Sequence, residues 1–129
     1  MNWYAHSAKG EKPPQTYRDH IVGVVATASR NVQELSPFVG EERTKQYLPI
    51  VQAAALYHDL GKLNKDNQTI LSGRGQAARL PVEHRDAGVK YLIGSHLQTP
   101  SATLVYAHHF PGLPNLIEEI RETHPFRFV

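Results

Sequence analysis

The sequence predicts an all-α fold, a bundle of helices, on three observations. After Thr16 the apolar residues Ile21, Val24, Val25, Ala28, Val32 and Leu35 recur at spacings of three and four, the pattern of one buried helix face. Proline, glycine and capping residues divide the rest of the chain into stretches of helical length, at Ser36-Pro37, Gly40, Gly61, Gly94 and Pro111-Gly112. No stretch alternates apolar and polar residues at strand spacing, and there is no internal repeat.

Taken in order, residues 1–14 (MNWYAHSAKGEKPP) show no period and read as an ordered lead-in followed by a loop. Thr16, with Asp19 three residues on, is a natural N-cap for the first helix. After the break at Ser36-Pro37 and Gly40, Glu41 to Tyr47 reads as a short polar helix. Pro49 then starts the helix that carries AAALYHD and stops at Gly61. Leu63 to Leu71 adds a short turn of helix, and Ser72 to Pro81 (SGRGQAARLP) is a loop. Val82 to Ile93 is helical, with His84 in its first turn and Gly94 ending it. Ser101 caps a helix over Ala102 to Phe110, whose last turn holds His108 and His109. Pro114 to Glu122 reads as a last amphipathic helix through Leu116, Ile117 and Ile120.

A length of 129 residues at 40% hydrophobic composition fits one domain over residues 1–129, with a real core. The absence of cysteine excludes disulfides, thiolate metal sites and cysteine nucleophiles, so any metal must sit on nitrogen and oxygen. Met1 to Lys12 is too polar for a signal peptide, and no apolar run approaches the roughly 20 residues of a membrane span, so a cytoplasmic protein without a membrane partner is expected. The net charge of +2 says little about partners. Its distribution says more: Lys62, Lys65, Arg74, Arg79 and Arg85 outnumber Asp66 and Glu83 in one segment, whereas Glu118, Glu119 and Glu122 cluster late. The basic segment is either a solvated loop or a rim facing phosphates.

The chemistry centres on Ala53 to Lys62, AAALYHDLGK, where an apolar run ends in His58 and Asp59. Burying an ionisable pair at the end of such a rod costs free energy unless hydrogen bonds or a cation satisfy it. Alone, the pair is an ordinary helix end with a histidine near the negative pole of the dipole. It is not alone, because His20, His84 and the pair His108-His109 also lie on or at the ends of expected helices. The intervals of 37, 24 and 23 residues between them are long enough to return the chain to a common centre. Five imidazoles and one carboxylate suit one or two divalent ions such as Mn, Fe, Co, Ni or Zn, with Mg admissible, whereas calcium would want more oxygens. Six ligands exceed a tetrahedral zinc site, so two metals sharing Asp59 is the economical arrangement. His20, His58 and Asp59 would hold one ion, and Asp59, His84, His108 and His109 the other. The resulting local charge of about +3 favours a polyanionic substrate and hydrolysis of a phosphate ester.

The order H, HD, H, HH, with YAHS at Tyr4 to Ser7 and HDLGK at the centre, resembles the HD superfamily of metal-dependent phosphohydrolases. It is most similar to the HD nuclease domain of the CRISPR-associated helicase-nuclease of type I systems. The likeness runs from about Tyr4 to His109, and it implies an HD-domain helical bundle that cuts single-stranded DNA, and sometimes RNA, in CRISPR interference. A helicase domain or subunit and the type I surveillance complex are the implied partners. Carried onto this chain, the two ligand sets are those above, and Lys62 contacts the scissile phosphate or orients the attacking water. His6 and Ser7, in the AHS segment, stand behind the ligands, and Lys65, Arg74, Arg79 and Arg85 would meet the nucleic acid. The family usually adds an aspartate to the first metal from a late helix, but no Asp follows His109: truncation at the C-terminus is the favoured expectation, a substituting glutamate (Glu118, Glu119 or Glu122) or a weak first site the alternatives. His96 and His124 are expected on the surface. Two other readings remain: an HD phosphohydrolase of nucleotides or cyclic dinucleotides, and a helical nucleic-acid-binding or protein-binding module that has lost turnover.

Overall fold

The computed structural model describes residues 2–94 and 99–109. The expected helix over 114–122, the late glutamates, His96 and His124 lie outside them. The fold is all-α apart from one small hairpin. Its helices are α1 (Tyr17–Glu34), α2 (Ser36–Val39), α3 (Glu41–Tyr57), α4 (Lys65–Leu71), α5 (Arg85–Gly94) and α6 (Thr99–Ala107), with a 3-10 turn at Leu60–Leu63. Among the described residues no helix is long and apolar enough to cross a membrane.

The first helix starts where its cap says it should. Thr16 Oγ1 accepts from the Asp19 amide at 3.1 Å, and its hydroxyl donates to Asp19 Oδ2 at 2.6 Å, so cap and third residue satisfy each other. Ile21 and Val32 are buried, Val24, Val25 and Ala28 half-buried, and only Leu35 of the expected stripe lies exposed. Gly40, at φ +87°, makes the break before α3 in a backbone conformation that a residue with a Cβ rarely adopts.

Several element boundaries differ from expectation, beginning with a short helix, α2, where Ser36-Pro37 was read as a break. Pro49 does not start a helix: Glu41 to Tyr57 is continuous through it. Proline removes one internal hydrogen bond, but Lys45 and Pro49 both lie on the exposed side, where water can satisfy the freed carbonyl. The helix then ends at Tyr57, not Gly61, with His58 as its cap and Asp59 at φ −109°, ψ 14°, leading into the 3-10 turn. His84 precedes α5 instead of sitting in its first turn. Ser101 lies inside α6, fully buried, and its hydroxyl donates to the Ile50 carbonyl of α3 at 2.9 Å. A serine hydroxyl expected to cap α6 instead ties two helices together.

Residues 1–14 were expected to form a lead-in and loop, but part of them is a strand. Tyr4–His6 (β1) pairs antiparallel with Gln15–Thr16 (β2), with an irregularity between Tyr4 and His6. Beyond it, Lys9 and Lys12 exchange backbone hydrogen bonds at 3.1 Å around Gly10, at φ +59°. An isolated two-stranded hairpin is marginal in water. This one is held by α4: Gln68 Oε1 accepts from the Tyr4 amide at 2.9 Å, and Gln68 Nε2 donates to the Tyr4 carbonyl at 2.7 Å.

The core lies between α3, α5 and α6 and is built from Ala54, Val89, Leu92, Ala102 and Val105, with Tyr57, Leu104 and Tyr106 packed against it. The long helix α1 covers another side of α3, where Gln52 Nε2 donates to Ser29 Oγ at 3.0 Å. Gly88 lets α5 touch the end of α3, since a Cβ there would overlap the Tyr57 carbonyl oxygen and press on Val105. Gly88→Ala is therefore expected to lose about 1–3 kcal/mol in urea denaturation through overpacking. Gly23→Ala, where a Cβ in α1 meets nothing within 4 Å, should gain up to about 1 kcal/mol from helix propensity. Equal effects from the two changes would contradict the close approach of α5 to α3.

Candidate metal centre

The N-terminal ends of α1 and α5 and the C-terminal ends of α3 and α6 meet around one buried carboxylate. Asp59 is 2% exposed. Its Oδ2 lies 3.0 Å from His20 Nε2, 3.2 Å from His58 Nε2 and 2.7 Å from Lys62 Nζ. Its Oδ1 faces the other way, 3.5 Å from His84 Nε2 and 3.9 Å from His108 Nε2. His84 Nε2 in turn stands 2.7 Å from His109 Nε2.

The expected ligands thus come together in two groups. One comprises His20, His58 and Asp59, the other His84, His108 and His109, and within each group the ligand atoms lie within 4.8 Å of one another. Each oxygen of Asp59 faces one group.

Backbone carbonyls set the histidine tautomers. His58 Nδ1 donates to the Ala55 carbonyl at 2.8 Å, and His108 Nδ1 donates to the Val105 carbonyl, each three residues back in the helix that ends there. A carbonyl only accepts, so both Nδ1 atoms carry a proton and both rings turn Nε2 inward. His58 Nε2 then meets the lone pairs of Asp59 Oδ2 at 3.2 Å, and a proton or a cation must lie between them. Among the described residues His108 Nε2 is buried without a hydrogen-bond partner. An unsatisfied buried nitrogen costs about 1–3 kcal/mol, and a cation would remove that cost. The donor set therefore fits a divalent ion in each group, and one histidine of each, His58 and His108, is already braced on its far side.

The electrostatics agree. Burial pushes the Asp59 carboxyl up, but hydrogen bonds and charge from His58 and Lys62 outweigh it and hold the group below the usual carboxylate range. Burial pushes His84 down to about 4, with Lys62 and His109 offsetting the pull of Asp59. His20 and His108 are lowered too, mainly by burial. At neutral pH these three rings are uncharged, the form that binds metal.

The remaining expected site residues separate into near and far. Lys62 is 8% exposed and belongs to the centre. His6 is exposed but sets its ring edge-on to His20, with centroids 4.8 Å apart. Ser7, also exposed, lines surface cavities beside the hairpin. Lys65, Arg74 and Arg79 lie exposed, and Arg74 Nε donates to Ser72 Oγ at 2.9 Å. Arg85 is held by Glu83 at 3.2 Å, with its guanidinium 5.7 Å from the centre of the Tyr106 ring.

Three supporting residues were not foreseen. Asn67, fully buried, donates to the carbonyls of Gly61 at 3.0 Å and Val82 at 2.9 Å and accepts from the Val82 amide at 2.9 Å. Gln68 donates to the Lys62 carbonyl at 2.8 Å as well as to Tyr4. Tyr17 is half-buried, and burial together with the Asp59 charge pushes its hydroxyl up to about 12. Two uncharged amides within Leu63 to Leu71 were the available signal, and that stretch read only as a short turn of helix because their partners are distant backbone atoms. Gly61 was read as a helix stop. Its larger role is contact: its amide donates to the His84 carbonyl at 3.2 Å, and a Cβ there would collide with the His84 backbone.

No family model, no curated protein and no solved structure matches the chain. Fold and site together define a helical protein with His/Asp groups that could hold a metal ion.

The lowered histidines make stability depend on pH. Unfolded histidine titrates near about 6.5, whereas His84 in the fold takes its proton only near 4. Between these values the unfolded chain binds more protons, so acid favours unfolding. The melting temperature of protein kept in chelator should fall steadily from pH 7 to pH 4, with a further loss below that range as Asp59 is protonated. A flat profile between pH 7 and pH 4 would contradict neutral, buried imidazoles.

Proposed function

We propose that the chain is a metal-dependent hydrolase of phosphodiester bonds in single-stranded nucleic acid, DNA foremost. The observation that carries the reading is the convergence of His20, His58, His84 and His108 on the two oxygens of buried Asp59, with His109 against His84 and buried Lys62 alongside. The likeness of this ordered set to the HD nuclease domain of type I CRISPR helicase-nucleases supports a nuclease working beside a helicase and a surveillance complex.

His20, His58 and Asp59 would hold one divalent transition-metal ion, and Asp59, His84, His108 and His109 a second. Such ions supply Lewis-acid polarisation of a phosphoryl oxygen and ionise water at neutral pH. The protein's own residues do the rest. Asp59 offers one oxygen to each group and stays ionised. His58 and His108, fixed through Nδ1, present Nε2 without having to reorient. Among the described residues Lys62 Nζ pairs with Asp59, and its other N–H donors would meet a phosphoryl oxygen, where its charge stabilises negative charge developing as the ester breaks.

Protein stripped with chelator and reloaded with Mn or Ni is expected to cut linear and circular single-stranded DNA. Asp59→Ala should abolish cleavage and metal uptake in both groups, whereas His109→Ala should weaken mainly the second. Lys62→Ala should lower kcat by about 10²–10³ with metal content unchanged. Elemental analysis beside a cleavage assay reads all three. Full cleavage by the Asp59 variant would sink the proposal.

A further inference from the structure

The β-hairpin adds to the centre a cationic surface outside the basic segment of residues 62–85. A cavity of about 530 Å³ runs along it, lined by His6, Ser7, Lys9, Lys12, Gln15 and Leu71 among others. One of its lining residues, His6, sets its ring edge-on against that of His20 at 4.8 Å, so one side chain links the cavity to the metal centre. Lys9 and Lys12 stand opposite each other across the antiparallel bridge at its far end. Like charges placed directly opposite destabilise a hairpin, and an anion between them would relieve the repulsion. Among the described residues the lysines paired with carboxylates are Lys45, with Glu41, and Lys62, with Asp59. Glu11, the acid in the hairpin tip, does not line the cavity. The hairpin is not a loose arm: Gln68 hydrogen-bonds both Tyr4 of β1 and the carbonyl of Lys62, so strand and centre share one brace.

We propose that this cavity binds the phosphodiester backbone of the substrate strand on one side of the scissile bond, with Lys9 and Lys12 each meeting a phosphate. The inference rests on the nuclease reading above and deepens it, since it makes the substrate a polynucleotide that leaves the centre past His6 and Ser7. A substrate of a single nucleotide would have no use for two cations at the far end of the hairpin.

The test uses the full chain loaded with Mn and two substrates, bis(4-nitrophenyl) phosphate and a single-stranded oligonucleotide of about 16 nucleotides. The double variant Lys9→Gln/Lys12→Gln is expected to raise the oligonucleotide KM about tenfold with kcat kept. It should also make the slope of log affinity against log salt shallower by about 1.4, the amount for two phosphates on a single strand. Lys45→Gln, on α3 and paired with Glu41, serves as the charge control and should match the parent. Melting curves of the double variant should equal or exceed the parent's, since a repulsive pair has gone. An oligonucleotide KM and salt slope identical to the parent's would overturn the inference while leaving the nuclease reading intact. A parent that hydrolyses the small diester but leaves the oligonucleotide untouched would overturn both the inference and the nuclease reading, leaving a hydrolase of small diesters. A parent inert toward both substrates would overturn the nuclease reading itself.

Discussion

A single buried carboxylate constrains the end of the bundle where the histidines meet. Removing an ionised Asp from water costs several kcal/mol even after the protein relaxes, so Asp59 must be surrounded by partners or stay neutral. The chain surrounds it: Lys62 sits at 2.7 Å, and four imidazoles on four different segments lie within 3.9 Å. That requirement explains why helix ends gather here instead of helix faces. An end brings a side chain to the centre and also supplies loose carbonyls, and those of Ala55 and Val105 fix the histidines that follow them.

Holding Asp59 in place falls to neutral amides. The turn Leu60–Leu63 is short, and most of its backbone polar groups would be stranded in the interior without help. Asn67 takes the Gly61 carbonyl and both polar groups of Val82, and Gln68 takes the Lys62 carbonyl and both polar groups of Tyr4. Two consecutive residues of α4 therefore clamp the turn to the segment that carries His84 on one side and to the N-terminal strand on the other. Gly61 completes the clamp by letting the two backbones touch.

The same arrangement joins the chemistry to its surroundings. A ring already fixed through its Nδ1–H, as in His58 and His108, needs no reorientation to accept a cation, so binding energy is not spent on ordering. The polar clamp runs outward into the hairpin, whose lysines extend the positive field beyond the centre. A phosphate chain would meet a rigid frame of helix ends, a short turn and a tethered strand.

Much of this was legible in the sequence. The period of three and four after Thr16 and the Thr16–Asp19 cap reproduce the start and buried face of α1, and the ordered histidines with Asp59 single out the residues that meet. Those features depend on local chemistry and on residue type, which a sequence carries directly. Boundaries set by distant partners were not legible. Pro49 passes inside α3 because its side of the helix faces water. Ser101 is buried inside α6 by a carbonyl 51 positions away, and a strand forms at Tyr4–His6 because Gln68 pairs with it across 64 positions. The sequence by itself determined which groups could bind a cation. Only the tertiary structure decided that Asp59 turns one oxygen to each set of histidines, because that depends on how four helix ends pack and on amide partners that no local pattern announces.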